Sequence, residues 1–547
     1  MSVARRMYRA VAASLTLAAA AAPARAQHAL VSLPLDDPAY EQLDALARAG
    51  CAAGRPSPFR PYLTGDVRRA LTESAGDARC GGVVREELVR RFLAGNGKGE
   101  MGNVGADSAS GSGLRVGGSV EGRATALGER EFRPLFAGTR PDSLGDPVFV
   151  GIVRGRVTWD GGPQVAAVLE GYAQSDRQND PAQRGRGFRQ SEAVVDLGEA
   201  YLTAQIGPLT ALLGRGWEAW LGGSGRESLM LSAHGPPMDR LSLRARWRRF
   251  EARGMFATVD DVVLTEADGL ATGTPPQRVH RFLAAHALTA RITPSWEVTL
   301  GETALLTRRG GGVDLAFVNP VTIYVVAEND SSHAGGASDE NNLTAFAATR
   351  FVRGGAALEA ELVIDDIQID AADRENLPHQ LAWRLASTLA VPMARPASVG
   401  VEYRRVGSYT YLRDYYAAVY QQYDAPIGSE LGPDADMLRA SGELWPNARM
   451  RLAGGVARWR QGAQRIFDRP SQGAFGHAGE PFPSVTTERP APVRAWIAQG
   501  GVSVLDTRFT LRLLGELASL DNLDHQPSLS ATSLRAHVTG TYRFRYP

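Results

Sequence analysis

The last segment of the chain alternates strictly between polar and apolar side chains. The polar members are Arg535, His537, Thr539, Thr541, Arg543 and Arg545, and the residues between them are Ala, Val, Gly, Tyr, Phe and Tyr. A period of two is that of a β-strand with two chemically different faces. Because the same alternation recurs at 200–206, 358–362 and 508–513, we expect antiparallel β structure from residue 114 onward.

Alternating strands form either a soluble sandwich or a membrane barrel whose polar face lines the lumen. Residues 113–547 supply about 18 strands at roughly 24 residues per strand and connection. A sandwich of this length normally divides into domains, and no linker is visible after Gly113. Short turns at 207–208, 292–296 and 444–448 alternate with long polar connections at 174–192, 264–278, 329–342 and 464–492. The layout predicts an all-β, antiparallel outer-membrane β-barrel over residues 114–547.

Charged residues within the predicted strands fit this interpretation. They are expected to face a water-filled lumen, and they include Arg154, Arg156, Glu359, Glu361 and Arg512.

The first 26 residues are typical of a secretory signal peptide. Arginines precede an apolar run at 11–22, and small residues lead to a predicted cleavage between Ala26 and Gln27. A retained membrane anchor is the alternative, but the run is shorter than the roughly 20 residues that span a bilayer. We therefore expect the chain to be exported to a periplasm or to the cell surface, where thiols oxidise.

Residues 27–93 are predicted to form a small periplasmic helical bundle. The first helix follows Asp37 and ends at Gly50, the second has Thr64 as its N-cap, and the third centres on Leu88. A disulfide between Cys51 and Cys80 would tie the first helix to the third; two free structural thiols are the alternative. The Gly- and Ser-rich stretch 94–113 is expected to be a linker.

Composition and spacing give little sign of catalysis. The chain has 60 Lys and Arg against 59 Asp and Glu, so charge predicts no nucleic-acid partner. The nine histidines show no metal-ligand spacing, and we expect neither a metal nor a cofactor. Adjacent acidic pairs at Asp260-Asp261 and Asp365-Asp366 would point to opposite faces of a strand, which disfavours a converging catalytic dyad. A surface hydrolase, or a calcium site at 339–341, is therefore a minor alternative.

Six of the 15 tyrosines lie between residues 409 and 423. Aromatic faces beside polar side chains suit sugar binding, so we expect a polysaccharide-binding site at Tyr409, Tyr411, Tyr415, Tyr416 and Arg413. An aromatic girdle at the membrane interface is the competing interpretation. A second candidate site contains Trp217 and Trp220 in a Gly-rich loop, where a structural turn is the alternative.

The order of several motifs resembles the Wzi family of outer-membrane capsule assembly proteins. They are LPLDDPAY at 33–40, LGRG at 213–216, SLMLS at 228–232, FVNP at 317–320, NNL at 341–343, DDI at 365–367 and PIGSELGPDAD at 426–436. The resemblance implies an 18-stranded outer-membrane barrel with a periplasmic helical bundle, a lectin-like role in holding capsular polysaccharide, and no catalysis. The expected partners are polysaccharide, outer-membrane lipid and the barrel-assembly machinery, although the chain ends in Pro547 rather than an aromatic residue.

Two other functions remain open at this stage. The same strands could build a solute-diffusion porin if the lumen were open. Residues 33–71 also resemble modules that hold cell-wall polymers, which would make them an envelope-docking element.

Overall fold

The computed structural model describes residues 29–51, 54–77, 80–93, 113–127, 148–175, 188–190, 193–221, 228–268, 270–310, 312–313, 315–329, 341–367, 379–413, 415–423, 425–462, 464, 466 and 492–544. The predicted signal peptide, its cleavage site at Ala26 and Gln27, and nearly all of the predicted linker lie outside these residues.

Eighteen long antiparallel strands close into a barrel within the described part of the chain, which confirms the predicted fold. In chain order they are β1 Gly113–Leu127, β2 Val148–Asp160, β3 Val165–Ser175, β4 Ala193–Ile206, β5 Leu209–Gly216, β6 Met238–Trp247, β7 Phe250–Thr258, β8 Gln277–Thr293, β9 Trp296–Arg308, β10 Asn342–Arg353, β11 Ala356–Asp366, β12 Gln380–Val391, β13 Ala397–Val406, β14 Ala435–Asn447, β15 Met450–Gln461, β16 Val493–Leu505, β17 Phe509–Asp521 and β18 Ser530–Phe544.

Consecutive strands pair with each other, and β1 pairs with β18 to close the barrel, with Val120 opposite Tyr542. Short turns at one end include the predicted Gly207-Pro208 hairpin between β4 and β5. The other end carries the long connections, among them 217–237, 259–276, 309–341 and 407–434. In outer-membrane barrels short turns face the periplasm and long loops face the exterior.

Polar and apolar faces separate across the barrel wall as the alternation predicts. On β18, Leu534 and Tyr542 are 63% and 55% exposed on the outer face, whereas Thr541 and Arg543 are buried inside. A barrel wall needs this period because successive side chains point to opposite faces.

Three helices precede the barrel: α1 Ala39–Arg48, α2 Thr64–Glu73 and α3 Val83–Phe92. Asp37 accepts a hydrogen bond from Ala39 N (2.8 Å) at the start of α1, as expected for a capping carboxylate. Thr64 is the first helical residue rather than the predicted N-cap, because its hydroxyl donates to Val31 O (3.0 Å) in the preceding segment. Cys51 and Cys80 form a disulfide that joins the end of α1 to the residues before α3. No helix among the described residues is long and apolar enough to cross a membrane.

We call the described residues of 29–93 the inner plug, because they fill the short-turn end of the barrel. Gly50 lies against the turn at Gly355, and Gln42 Nε2 donates to Ala448 O (3.0 Å) in another turn. Ion pairs then join the inner plug to strands around the circumference, at Asp36–Arg543, Glu41–Arg512, Arg48–Glu443, Arg55–Glu359 and Asp66–Arg244.

The lumen is packed with protein rather than with the water we expected around the mid-strand charges. Arg156 lies 2.8 Å from Glu170 and 2.6 Å from Glu199, and its side chain is only 3% exposed. Glu359 and Glu361 share Arg384 at 3.1 and 3.2 Å. These charges face inward as predicted, but each is neutralised by a partner, as burial requires.

Candidate functional site

Two long connections fold back into the lumen from the loop end. We call the described residues of 228–237 and 407–434 the outer plug. The two segments are joined by Ser232 N donating to Ile427 O (2.9 Å), Tyr411 Oη donating to Leu229 O (2.5 Å) and Tyr420 Oη donating to Met230 O (3.0 Å). These bonds satisfy backbone carbonyls that would otherwise be buried without partners.

Phe59 connects the inner plug to the hydrophobic core that contains the outer plug. Phe59 and Arg60 of the inner plug pair as a short antiparallel ladder with Ala219 and Trp220, just before the outer plug. The Phe59 and Trp220 rings pack edge to face at 5.2 Å, and the same cluster continues to Tyr411. This core therefore reaches the inner plug at Phe59, whereas α1, α2 and α3 pack in a separate core.

The tyrosine cluster divides into a buried part and a partly exposed part. Tyr409 and Tyr411 are 6% and 1% exposed, and the Tyr411 ring stacks on Tyr420 at 5.7 Å between centroids. Burial raises the pKa of the Tyr411 hydroxyl well above its ordinary value. Because these rings lie inside the lumen, they face neither a polymer at the surface nor the membrane interface, which differs from both interpretations of the sequence.

Tyr415 and Tyr416 lie at the outer rim and remain partly exposed. The exposed Arg309, at the start of the connection after β9, lies over the Tyr415 ring with Cζ 5.6 Å from the centroid. Its Nε donates to Tyr415 Oη at 3.4 Å. The pair places guanidinium N–H donors next to a partly exposed aromatic ring. Arg309 was not identified from the sequence, where it is one of two adjacent arginines before a glycine run.

Arg413 anchors the outer plug to the barrel. Its Nη1 donates to Gln380 Oε1 (2.7 Å), and its guanidinium lies 3.1 Å from Asp365. Nη2 donates to Asn342 Oδ1 (3.1 Å). With the ends of β10, β11 and β12 as partners, this arginine positions the segment that carries Tyr415 and Tyr416.

The two tryptophans have different surroundings. Trp220 is fully buried in the lumen core, so its ring is inaccessible to a large ligand. Trp217 is only partly buried, and its Nε1 donates to Gly235 O (3.0 Å) in the outer plug. Of this pair, only Trp217 has a ring that a ligand could reach.

The acidic pairs do not converge. Asp260 pairs with Arg281, whereas Asp261 lies 3.1 Å from His280 and 3.4 Å from Arg278. The carboxylate of Asp365 is bound by Arg413, as described above. Among the described residues no group of three His, Cys, Asp or Glu side chains could hold a metal ion. Asp339 and Glu340 of the possible calcium site lie outside the described residues.

Comparison with protein families matches residues 151–489 to the family described as capsule assembly protein Wzi. Among solved structures, the chain is similar to Wzi of Escherichia coli, an outer-membrane carbohydrate-binding β-barrel involved in group 1 capsule assembly. The TM-score is 0.58 at 14% identity, and the match covers 95% of this chain and 100% of that chain.

Two Pseudomonas aeruginosa proteins give lower scores. OccD3 (OpdP) has a TM-score of 0.44 at 10% identity, covering 79% of this chain and 91% of that one. OprD has a TM-score of 0.43 at 8% identity, covering 79% of this chain and 95% of that one. The search of curated proteins finds no match.

The matched region spans more than half of the chain, and the fold is that of an outer-membrane barrel, so the protein is located in the outer membrane. The chain belongs to the Wzi family of capsule assembly proteins.

Proposed function

We propose that the protein binds or organises exported polysaccharide at the cell surface, through the outer rim of the barrel and without conducting solutes. The observation that carries this proposal is a lumen filled from both ends, next to a partly exposed aromatic and cationic surface. We call Arg309, Tyr415 and Tyr416 the rim surface.

The rim surface suits a sugar polymer chemically. The exposed part of the Tyr415 ring can contact pyranose C–H groups, and the Arg309 donors can bind hydroxyl or carboxylate oxygens of the same polymer. Trp217 offers a further partly exposed aromatic ring at the same end of the barrel. The E. coli relative is described as carbohydrate-binding, which supports the same class of ligand here.

The porin alternative has less support. The inner plug is held by ion pairs around the circumference, and its Phe59 strand pairs with the segment leading to the outer plug. A diffusion channel would require both plugs to leave the lumen together.

Catalysis is not part of the proposal. Asp365 and Asp260 are each bound to an arginine, and Asp261 instead contacts His280 and Arg278. The barrel-assembly machinery remains a predicted partner. The end of the chain by which it would be recognised includes Tyr546 and Pro547, which lie outside the described residues.

The test is binding of the host's extracted surface polysaccharide to purified protein. Tyr415→Ala and Arg309→Gln should each weaken binding roughly three- to tenfold, since each removes one aromatic or charged contact at the rim. Arg278→Gln is the matched control, because Arg278 is exposed at the same end but contacts Asp261 rather than the rim surface. If all three variants fold into heat-modifiable barrels and bind the polysaccharide as tightly as the wild type does, the rim surface is ruled out as the binding site.

A further inference from the structure

The connection between β9 and β10 folds down the outside of the barrel. It contains two short helices, α4 Leu315–Val318 and α5 Tyr324–Asn329. Phe317, Tyr324 and Ala327 are buried at 2%, 1% and 6% exposure against Ala284, Ala304 and Leu306. Ala284 and Ala304 share the outer face of β8 and β9 with the exposed Leu288 and Leu300. We call residues 315–327 the wall flap.

The wall flap covers a row of three residues on adjacent strands. Gly254 of β7 is opposite His286 of β8, which is opposite Glu302 of β9. A Cβ added to Gly254 would come within 2.6 Å of Pro320, so only glycine leaves room for the flap there.

Tyr324 covers the other two members of that row. Its N–H donates to Glu302 Oε2 (2.7 Å), and its ring lies 4.5 Å from the His286 ring. His286 Nε2 is 3.9 Å from the same carboxylate oxygen. An imidazole and a carboxylate on the outer wall are thereby partly covered by protein, with 18% of the His286 side chain and 24% of the Glu302 side chain still exposed.

The row lies at the middle of the barrel wall. Glu302 is six residues from each end of β9, at Trp296 and Arg308. With a rise of about 3.4 Å per residue and a tilt near 40°, six residues span about 16 Å along the barrel axis. This depth falls inside the apolar band of an outer-membrane barrel, which is about 25 Å tall.

The outer face of the wall flap is strongly apolar. Leu315, Val321, Ile323 and Val326 are 77%, 83%, 53% and 62% exposed. The segment 315–327 contains no charged residue. The outer face of the wall flap continues the lipid-facing surface formed by Leu288 and Leu300. We therefore expect it to lie in the hydrocarbon core of the membrane.

We propose that the wall flap is a membrane-inserted element whose outer face binds lipid acyl chains of the outer leaflet and whose inner face covers most of His286 and Glu302. Ionisable side chains facing hydrocarbon are costly. The flap lowers this cost by supplying the Tyr324 ring and N–H. The inference is independent of polysaccharide binding.

The experiment places a polarity-sensitive fluorophore on single cysteines in protein reconstituted into phosphatidylcholine vesicles. Val326→Cys carries the label on the flap, and Val263→Cys is the control, because Val263 is 49% exposed in the external connection 259–276. Cys51 and Cys80 are bonded to each other and do not compete for label.

The label at residue 326 should be quenched several-fold more by doxyl-labelled lipid than by aqueous iodide, and the label at residue 263 should show the reverse. Quenching of both labels mainly by iodide would overturn the proposal. So would protection of residue 326 from both quenchers together with cross-linking between copies, because a second chain would then cover the flap.

Discussion

Asp66 of α2 should be the most sensitive single attachment of the inner plug. Its carboxylate lies 2.5 Å from Arg244 and 3.0 Å from Arg246, both on β6, and 2.8 Å from Arg69. The side chain is only 3% exposed, so solvent screens these contacts little. Asp66→Asn would leave Arg244 buried beside a neutral amide, whereas Arg246 would keep its ion pair with Glu251.

Removing one partner of a buried ion pair costs about 3–5 kcal/mol, and the lower end applies because asparagine keeps one acceptor oxygen. About 3 kcal/mol corresponds to roughly a hundredfold rise in the open population of the inner plug. Hydrogen exchange of the α2 backbone amides, measured on the protein in nanodiscs, reports this population. Glu73→Gln is the matched control, because Glu73 is 60% exposed and 3.9 Å from Arg69, and its effect should stay within about 0.5 kcal/mol.

The same carboxylate gives a pH test. Burial raises the pKa of Asp66, whereas Arg244 and Arg246 lower it. The effect of the two arginines is larger, so the pKa in the folded state lies below the ordinary value of 3.8. Its contribution to stability is therefore complete above about pH 4 and is lost as the pH falls through the folded pKa. Acid should accelerate α2 exchange in the wild type through this group and not in Asp66→Asn. Equal exchange rates in the variant and wild type at pH 7 would refute the assigned anchoring role.

Other predictions concern the plugs. Tyr411→Phe removes the hydroxyl that donates to Leu229 O and accepts from Ser429 N (3.2 Å), so it should speed hydrogen exchange in 407–434 by a factor matching about 1–3 kcal/mol. Unchanged exchange there would show that this hydroxyl does not hold the outer plug. Reduction of the Cys51–Cys80 disulfide should destabilise the inner plug by about 2–4 kcal/mol while leaving the barrel's heat-modifiable mobility intact. Two free thiols in protein purified without reductant would contradict the bond itself.

Local patterns predicted the barrel and the helices because each depends on near neighbours. The alternation along β18 reflects one lumen face and one lipid face, and the Gly207-Pro208 turn joins β4 to β5 as expected. The helix positions followed from the three- and four-residue spacing of apolar residues, and only the role of Thr64 changed, because its hydroxyl bonds to Val31.

The candidate site was harder to predict because its parts come from distant connections. Tyr411 is hydrogen-bonded to Leu229, 182 residues away. No local signal in the sequence distinguishes a loop that fills a lumen from one that extends outward. Arg309 is part of the candidate site only because it lies over Tyr415, 106 residues away, and this contact could not be predicted from its neighbours in the sequence. The wall flap was missed for the same reason, since it packs on β7 and β8 as well as on the adjoining β9.

The central claim is that a closed barrel holds polysaccharide at its outer rim. The most direct measurement pairs planar-bilayer conductance of the purified protein with binding of its host's extracted surface polysaccharide. The account predicts an electrically silent barrel that binds the polymer saturably. Stable conductance without polymer binding would contradict it and would identify the protein as a diffusion channel.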